Sequence, residues 1–361
     1  MSGGSPRWVA AGAVLALASA GCSLFGGVRV ETIASSAQRP SNVAVYVGAT
    51  EHGEPLGELE AKNFHVYEDG QELDPKQIER VLLPRDAVTH EHVLLLVDLS
   101  GNPTTEQRAS YARAVEAFVR KLAPTLSVSV RAYDGSPGLK PVGDYPRGAS
   151  TVAAAALGKL SSRDASRDLR GAVLAGLAEL DRGAESASKP VELGTLVVFA
   201  TGPDLAGRTS EGALDDTLDT THHDVIGVGI GADTPYLDFA RGGVIHAESA
   251  TTLPIAFEEA GARVAATHAK YYLVAYCSPA RAGKRSVRIE VVHEDKKGDE
   301  HSGSTEVEID ATGFGPGCRS EATPHFERAG KHDAEDGARV NQSSGKPGAV
   351  VPPPATADYA K

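Results

Sequence analysis

Positive charge is scarce in this sequence of 361 residues, since 36 Lys and Arg stand against 48 Asp and Glu and leave a formal net charge of -12 at pH 7. A protein that binds nucleic acid needs clustered Lys and Arg to displace counterions from the phosphate backbone. The composition therefore argues against nucleic acid as a partner. The sequence also lacks an internal repeat, and its 41% apolar content suits one main domain of about 150 to 200 residues with smaller attachments.

Cysteine is rarer still, with three residues in the chain, and the first of them marks a targeting segment. An apolar run over residues 8–20 follows a start whose only positive side chain is Arg7, and the run ends in Ala-Gly directly before Cys22. A short run that ends in small residues is typical of a signal peptide and not of a membrane span. We therefore predict a signal peptide over residues 1–21.

The Ala-Gly-Cys ending resembles the lipobox of bacterial lipoproteins, and the resemblance implies that Cys22 carries lipid. Several acyl chains would hold the protein on a membrane almost permanently, because each buried methylene contributes about 0.8 kcal/mol. Ser23 follows the Cys, and in such lipoproteins a residue other than Asp there indicates the outer membrane. Ser19 stands where the lipobox usually has Leu, so a cleaved signal without lipid and an uncleaved anchor remain alternatives.

The two remaining cysteines, Cys277 and Cys318, form an even pair once Cys22 is assigned to the lipid. An even number of cysteines in an exported chain predicts a disulfide, which would join the end of the main domain to the segment after it. Two unpaired thiols are the alternative.

The stretch before the main domain divides into two parts. Residues 22–40 are rich in small side chains and predict a linker, whereas residues 41–88 contain runs of β-branched and aromatic residues. Asp69-Gly70 is a good hairpin turn signal within the second part. We therefore predict a small β unit over residues 41–88.

From residue 89 onward, apolar strands alternate with amphipathic helices. The run over residues 93–97 is unbroken and apolar, which suits a strand buried on both faces of a parallel sheet. Helical spacing of apolar residues, ended by Pro124, follows this run. The alternation predicts an α/β domain over residues 89–270, with a doubly wound, mostly parallel sheet of the Rossmann-like kind.

The end of the chain changes character twice. Residues 271–318 contain three stretches of strand character, and we predict that they form a β extension. Residues 319–361 are rich in Gly, Ser, Pro, Asp and Lys with few large apolar groups, so burial cannot offset the entropy of ordering them. This composition predicts a disordered tail.

Four segments resemble proteins with von Willebrand factor type A domains, and their order and spacing resemble the family as well. Residues 59–70 resemble the lead-in of the bacterial members, and the Asp-Leu-Ser-Gly-Asn of residues 98–102 resembles the first motif of the metal-ion-dependent adhesion site, D-x-S-x-S. Two later strands match at residues 224–231 and 271–276. The resemblance spans residues 59–310 and implies a Rossmann-like fold with a site for a divalent cation.

The metal site that the resemblance implies is centred on Asp98, Ser100 and Asn102. They directly follow the predicted strand at residues 93–97, and ligands of open α/β sheets bind at the carboxyl ends of the strands. Mg²⁺ needs six oxygen ligands in octahedral geometry, and short polar side chains on one tight turn supply several of them. Mg²⁺ is therefore the only cofactor that the sequence suggests.

Two other positions depart from the family pattern. Arg167 stands where the family has a Thr, and Gly202 stands where it has an Asp. The nearest carboxylates are Asp168 and Asp204, which are the less favoured candidates for metal ligands. The alternative is a degenerate site in which Asp98 and its neighbours only shape and cap the turn.

Other motifs indicate structure and not chemistry. Gly227, Gly229 and Gly231 lack the spacing of a dinucleotide loop, and His222-His223 has no metal-ligand spacing and predicts a solvated loop. No G-x-S-x-G elbow surrounds Ser100, and no base for it can be assigned.

These observations favour a binding module over an enzyme. We expect a lipid-anchored protein of the cell envelope, placed at the outer membrane, whose von Willebrand factor type A-like domain binds an unidentified protein in adhesion or scaffolding. Two alternatives remain, a metal-assisted hydrolase on the same fold and a purely structural lipoprotein. Fold alone does not decide among them.

Overall fold

The structure is a computed structural model that describes residues 27–151, 154–186 and 189–326. The predicted signal peptide (1–21), Cys22 and the tail beyond residue 326 lie outside the described residues. No helix in the described residues is long and apolar enough to cross a membrane.

The described residues form strands that belong to three sheets, and four α-helices. In chain order the strands are β1 (Val28–Gln38), β2 (Asn42–Glu51), β3 (Glu54–Pro55), β4 (Phe64–Glu68), β5 (Gln71–Glu72), β6 (Val81–Leu83), β7 (Thr89–Asp98), β8 (Ser127–Tyr133), β9 (Lys140–Tyr145), β10 (Val191–Ala200), β11 (Asp224–Ile230), β12 (Val244–Ala247), β13 (Tyr271–Cys277), β14 (Lys284–Glu294) and β15 (Glu300–Asp310). The helices are α1 (Thr105–Leu122), α2 (Leu169–Ser186), α3 (Glu211–Thr220) and α4 (Leu253–Ala269).

The central sheet has six strands in the order β12-β11-β10-β7-β8-β9. Alternate residues of β7 face opposite sides. Val93 and Leu95 pack with α1 and α4, whereas Leu94 and Leu96 pack with α2 and α3. Apolar side chains on both faces explain the unbroken apolar run, because each face is covered by helices. The chain thus has an α/β fold of the Rossmann-like kind.

The central sheet is mixed, because its edge strand β9 runs antiparallel to β8 while the other pairings are parallel. A mostly parallel sheet is predicted from the sequence, and the antiparallel strand lies in a stretch rich in Gly and Pro. Pro141 lies opposite Arg131 next to an irregularity in the register, and Gly143 lies opposite Val130. Proline is tolerated in an edge strand, since only one side of the strand pairs.

The predicted β unit (41–88) and the predicted β extension (271–318) are not separate structures. Strand β13 pairs with β2 and β6 in one antiparallel sheet, and β14 pairs with β4 and β15 in another. Val45 of the first sheet and Ile289 of the second belong to one buried cluster. The two segments therefore interleave in a β-sandwich, because each alone offers only one apolar face and buries it against the other.

Two predicted boundaries differ from the structure for the same reason. The predicted linker (22–40) contains β1. Val28 and Val30 of this strand are buried, whereas the residue between them and most residues after them are exposed or half-buried. The predicted tail (319–361) begins with ordered residues, because Phe326 is buried. Both segments consist mainly of small and polar residues, so their sequence does not indicate ordered structure. A few apolar side chains and hydrogen bonds of the backbone hold them in place.

The sandwich packs against the amino-terminal end of the central sheet. Tyr46 and Leu273 of the sandwich share a buried cluster with Val88, just before β7, and with Val191, the first residue of β10. This contact leaves the opposite end of the sheet, where the parallel strands finish, uncovered by the sandwich. Loops and helix starts form that face.

The predicted disulfide between Cys277 and Cys318 is present, with their Cα atoms 5.7 Å apart. It joins the end of β13 to the segment after β15 across 41 residues of sequence. We expect the Cys277→Ala, Cys318→Ala double variant to lose about 4 kcal/mol of unfolding free energy, since closing a loop of this length restricts the unfolded chain. Urea unfolding would measure the loss. An unchanged midpoint, with the wild-type disulfide verified by mass under non-reducing conditions, would contradict the expectation.

His92 makes stability depend on pH. Burial lowers the pKa of His92 to about 4, and the adjacent His90 adds to this effect. The folded state therefore keeps His92 neutral below the ordinary histidine pKa of about 6.5, where the unfolded chain takes up a proton. Stability is full above pH 6.5 and falls as the pH approaches 4, by about 2–3 kcal/mol from this group.

Urea unfolding at pH 7 and pH 4.5 checks this prediction when the wild type is compared with His92→Gln. The variant should lose less stability on acidification, because it removes the group that titrates. An equal loss in both proteins would assign the acid sensitivity to other residues.

Candidate functional site

The candidate site lies at the carboxyl end of β7, where the sequence predicts Asp98, Ser100 and Asn102 as metal ligands. Asp98 and Ser100 are buried, whereas Asn102 is exposed. The turn after Ser100 brings Gly101 and Asn102 into the left-handed region, with φ of 68° and 52°. The structure thus joins Asp98 to Ser100 and leaves Asn102 at the surface.

Hydrogen bonds from five donors surround the carboxylate of Asp98. Oδ1 accepts from the Ser100 backbone N–H at 2.8 Å and from the Ser100 hydroxyl at 2.5 Å. Oδ2 accepts from Arg167 Nε at 2.6 Å, from the Thr201 backbone N–H at 2.9 Å and from the Thr201 hydroxyl at 2.7 Å. Both oxygens are therefore fully used within the protein.

Arg167 supplies the positive charge at this site. Besides its contact with Asp98, it donates to the Thr201 hydroxyl at 2.7 Å and to the Pro203 carbonyl at 3.0 Å. Its side chain is 9% exposed, so the ion pair with Asp98 is buried. A guanidinium carries several donors in one plane, which suits it to hold a carboxylate, a hydroxyl and a carbonyl at once.

Arg167 and Gly202, the two departures from the motif that the sequence resembles, lie next to each other in the structure. A Cβ atom on Gly202 would lie 2.7 Å from an NH nitrogen of Arg167. An aspartate at position 202 would therefore displace the guanidinium that pairs with Asp98. Gly202 makes room for Arg167, and Arg167 supplies the positive charge.

This donor set does not fit Mg²⁺. The metal would need oxygens of Asp98 that already accept from five donors, and it would lie beside a buried guanidinium of the same sign. The buried pair instead leaves the carboxylate and the guanidinium mutually neutralised. Mg²⁺ binding by Asp98, Ser100 and Asn102 stays a prediction that the arrangement of Arg167 opposes.

Asp168 and Asp204, the less favoured ligand candidates, both lie close to the first residues of α2. Asp204 accepts from the backbone N–H groups of Arg170 and Gly207, each at 2.9 Å, so both of its oxygens are occupied. Asp168 is buried, and its Oδ1 lacks a hydrogen-bond partner among the described residues. Burial raises the pKa of Asp168, and the charge of Asp204 raises it further.

Two further Asp-x-Ser turns lie in loops near the site, and the sequence analysis missed them. Asp134 accepts from the backbone N–H of Ser136 at 2.9 Å, and Asp164 accepts in the same way from Ser166 at 2.9 Å. The signal is visible in the sequence, because Asp-x-Ser occurs at each of the three positions. Only the first, at Asp98, follows the apolar run that draws attention to it.

The additional carboxylates also have basic partners from this chain. Asp134 pairs with Lys140, and Asp164 lies 3.6 Å from Arg208. Burial by itself would raise the pKa of Asp134, but hydrogen bonds from Lys140 and Ser136 outweigh burial and hold it well below its usual range. The carboxylates of these two turns are thus neutralised by basic side chains of the same chain.

The remaining motifs behave mostly as predicted. A Cβ on Gly229 would lie 2.6 Å from the Thr234 side chain, which agrees with packing at a strand end. His223 differs from the predicted solvated loop, because it is buried and lies 3.1 Å from Asp181. Burial lowers the pKa of His223, and the neighbouring His222 lowers it further.

Large apolar side chains are exposed at the same end of the sheet. Leu205, in the loop after β10, is 65% exposed, and Ile255, in the first turn of α4, is 69% exposed. The backbone N–H groups of Leu205 and Ala206 both donate to the Arg167 carbonyl, at 2.8 and 2.9 Å. Leu205 is therefore held in place beside the buried ion pair while its side chain faces solvent.

Comparisons with known proteins give structural neighbours only. No protein-family model matches the sequence, and no curated protein matches it. The chain is similar to a von Willebrand factor type A structure from Catenulispora acidiphila, with 13% identity over 80% of this chain and 74% of that chain and a TM-score of 0.41. It is similar to manganese-loaded TRAP protein of Plasmodium vivax, with 12% identity over 70% and 99% and a TM-score of 0.39.

Another similar structure is proximal thread matrix protein 1 from the mussel byssus, with 16% identity over 50% of this chain and a TM-score of 0.38. The chain spans about half the length of that protein, 49%. A von Willebrand factor type A structure is among those to which the chain is similar, and this is the family that the sequence resembles.

Proposed function

We propose that this chain is a protein-binding module of the cell envelope, and that it binds its partner without metal at the face formed by the carboxyl ends of the central strands. Leu205 is the observation that carries the proposal. The Leu205 side chain is large, apolar and 65% exposed, and two hydrogen bonds to Arg167 fix its loop. This side chain can bury apolar area against a partner. Because the loop is already ordered, binding loses little conformational entropy.

The pair of Arg167 and Asp98 supports metal-independent binding. In a metal-dependent site, the bound cation offers an open position to a carboxylate of the partner. Here the cation is a side chain, and three of its donors are committed to Asp98, Thr201 and Pro203. Recognition would then rest on the shape and apolar surface of the loops around the pair.

A binding role is favoured over hydrolysis by the surroundings of Ser100. Its hydroxyl donates to Asp98 at 2.5 Å, and that carboxylate is paired with a buried guanidinium. Both oxygens of Asp98 also accept hydrogen bonds from other groups of the chain, so Ser100 has no free base beside it. We propose that the chain is not an enzyme.

Capture from detergent-solubilised envelope of the source cells tests the binding face. The wild type, Leu205→Asp and the control Ile33→Asp would be used as bait, each with EDTA and with Mg²⁺. Ile33 is also an exposed apolar residue, but it lies on β1, away from the central sheet. We expect a partner that the wild type and Ile33→Asp retain in EDTA and that Leu205→Asp loses. Loss in EDTA, or retention by Leu205→Asp, would contradict the proposal.

The membrane anchor remains a proposal from the sequence alone, with Cys22 as the lipidated residue and the outer membrane as its location. Metabolic labelling with a radioactive fatty acid and fractionation of the two membranes would test both parts. Cys22→Ala should abolish the label and release the chain from the membrane fraction. A labelled variant, or an unlabelled wild type, would contradict lipidation at this residue.

A further inference from the structure

A carboxylate and an imidazole are in close polar contact, without hydrogen-bond geometry, at the junction of the two sheets of the β-sandwich. Glu51 is the last residue of β2 and His301 the second of β15, and Glu51 Oε1 lies 2.6 Å from His301 Nδ1. The two atoms are buried and form a close polar contact, but the contact lacks hydrogen-bond geometry, and neither atom has another hydrogen-bond partner among the described residues. The lone pairs of both atoms therefore remain available to a third group.

A second imidazole is within reach of the same point. His52 follows Glu51 in the turn to β3, with φ of 51°, and its exposed ring meets that of His301 edge-on at 6.3 Å between centroids. One nitrogen or oxygen atom from each of the three side chains lies within 4.8 Å of the other two. Two imidazoles and a carboxylate thus converge from distant parts of the chain.

We propose that Glu51, His52 and His301 form a binding site for a divalent transition metal of the zinc class. Imidazole nitrogen and carboxylate oxygen are preferred ligands of Zn²⁺, and three protein ligands leave a fourth tetrahedral position for water. At metal–ligand distances of about 2.0–2.2 Å, tetrahedral neighbours lie about 3.3 Å apart. Small rotations of the side chains bring the three ligand atoms to that spacing.

The site would link the two sheets of the sandwich. Glu51 and His52 belong to the first sheet and its turn, and His301 belongs to the second. The sheets already approach closely here, because a Cβ on Gly303 would lie 1.9 Å from the Val28 carbonyl oxygen. Metal binding to the folded state would therefore stabilise the sandwich by mass action.

A second cluster of the same composition serves as the comparison. Asp181, His222 and His223 also have ligand atoms within 4.8 Å of one another. There, however, His223 Nε2 and Asp181 Oδ1 lie 3.1 Å apart with hydrogen-bond geometry, so these two atoms satisfy each other. The cluster at Glu51 is distinguished by the two facing atoms that lack such a bond.

Calorimetric titration of the full chain with Zn²⁺ tests the proposal, with the visible absorption of bound Co²⁺ as a report on tetrahedral geometry. We expect the wild type to bind one Zn²⁺ at this site, and Glu51→Gln or His301→Gln to raise its Kd at least about tenfold. His222→Gln should leave this binding unchanged. His65→Gln is the matched control, because His65 forms a hydrogen-bonded pair with Glu72 at 2.8 Å in the same sandwich.

The outcomes separate cleanly. Zn²⁺ binding lost in both ligand variants and kept in both controls would support the site. Absence of Zn²⁺ binding by the wild type, binding that survives His301→Gln, or binding lost only in His222→Gln would overturn it. If His301→Gln fails to fold by circular dichroism, the exposed His52→Gln variant provides the same comparison and the same expected weakening.

Discussion

Replacing Asp98 by Asn should lower the free energy of unfolding by about 3–5 kcal/mol, because it leaves the charge of Arg167 buried without a counter-ion. The substitution keeps the size of the side chain, so loss of packing contributes little. Arg167 is 9% exposed and has no second carboxylate in hydrogen-bond contact among the described residues, since its other side-chain donors bond to Thr201 and Pro203. Urea unfolding monitored by circular dichroism measures the loss.

Two controls identify the cause of this effect. Asp86→Asn removes the same charge from an exposed pair with Arg147, 2.8 Å apart, and should change stability little, since exposed ion pairs contribute little. The double variant Asp98→Asn, Arg167→Gln removes both buried charges and should recover much of the loss. Equal losses in the single and double variants would show that hydrogen bonding and not charge pairing dominates.

Exchanging Arg167 for Thr and Gly202 for Asp should create a Mn²⁺ site, whereas we expect no binding by the wild type at millimolar metal. The double variant removes the guanidinium from Asp98 Oδ2 and adds a carboxylate where a Cβ would otherwise lie 2.7 Å from Arg167. Asp98, Ser100 and the new side chains then offer oxygens to a divalent cation. We expect the Kd of the double variant to lie at least about tenfold below the millimolar range, which corresponds to about 1.4 kcal/mol of added affinity.

The Mn²⁺ signal in electron paramagnetic resonance measures free metal directly and so reports this gain. Gly202→Asp alone is the informative control, because it adds the carboxylate but keeps the positive charge of Arg167, even if displaced, close to the site. Bound Mn²⁺ should also raise the thermal midpoint of the double variant, since metal binds only the folded site. Tight Mn²⁺ binding by the wild type would refute the assignment of Arg167 as the resident cation.

The two results together bear on the proposed binding of a partner without metal. The guanidinium is covalently attached to the chain, unlike a bound metal ion. Its charge is therefore present at any concentration of divalent metal. The loop that carries Leu205 is anchored on the Arg167 carbonyl, and the buried pair therefore supports the exposed apolar residue directly. We expect Asp98→Asn, which breaks the ion pair, to weaken the proposed partner binding and to lower the free energy of unfolding. Both quantities can be measured on this one variant.

The central domain could be predicted from sequence because its signals are local. The strand predicted over residues 93–97 lies within β7, and the helical spacing that Pro124 ends corresponds to α1, since apolar runs and helical periodicity mark them without reference to distant residues. The pairing of Cys277 with Cys318 followed from counting cysteines. The sandwich could not be predicted in the same way, because β13 reaches β2 across more than two hundred residues and local sequence carries no signal for that partner.

The sequence by itself determined the α/β pattern, the Asp98-x-Ser100 turn and the two unusual residues, Arg167 and Gly202. Only the tertiary structure decided what those residues do, because the ion pair joins side chains that lie 69 positions apart in sequence. The direction of the Arg167 side chain depends on the space that Gly202 leaves and on acceptors at Thr201 and Pro203. Composition and spacing specify which charges are available, whereas packing decides which of them meet and whether water or protein surrounds them.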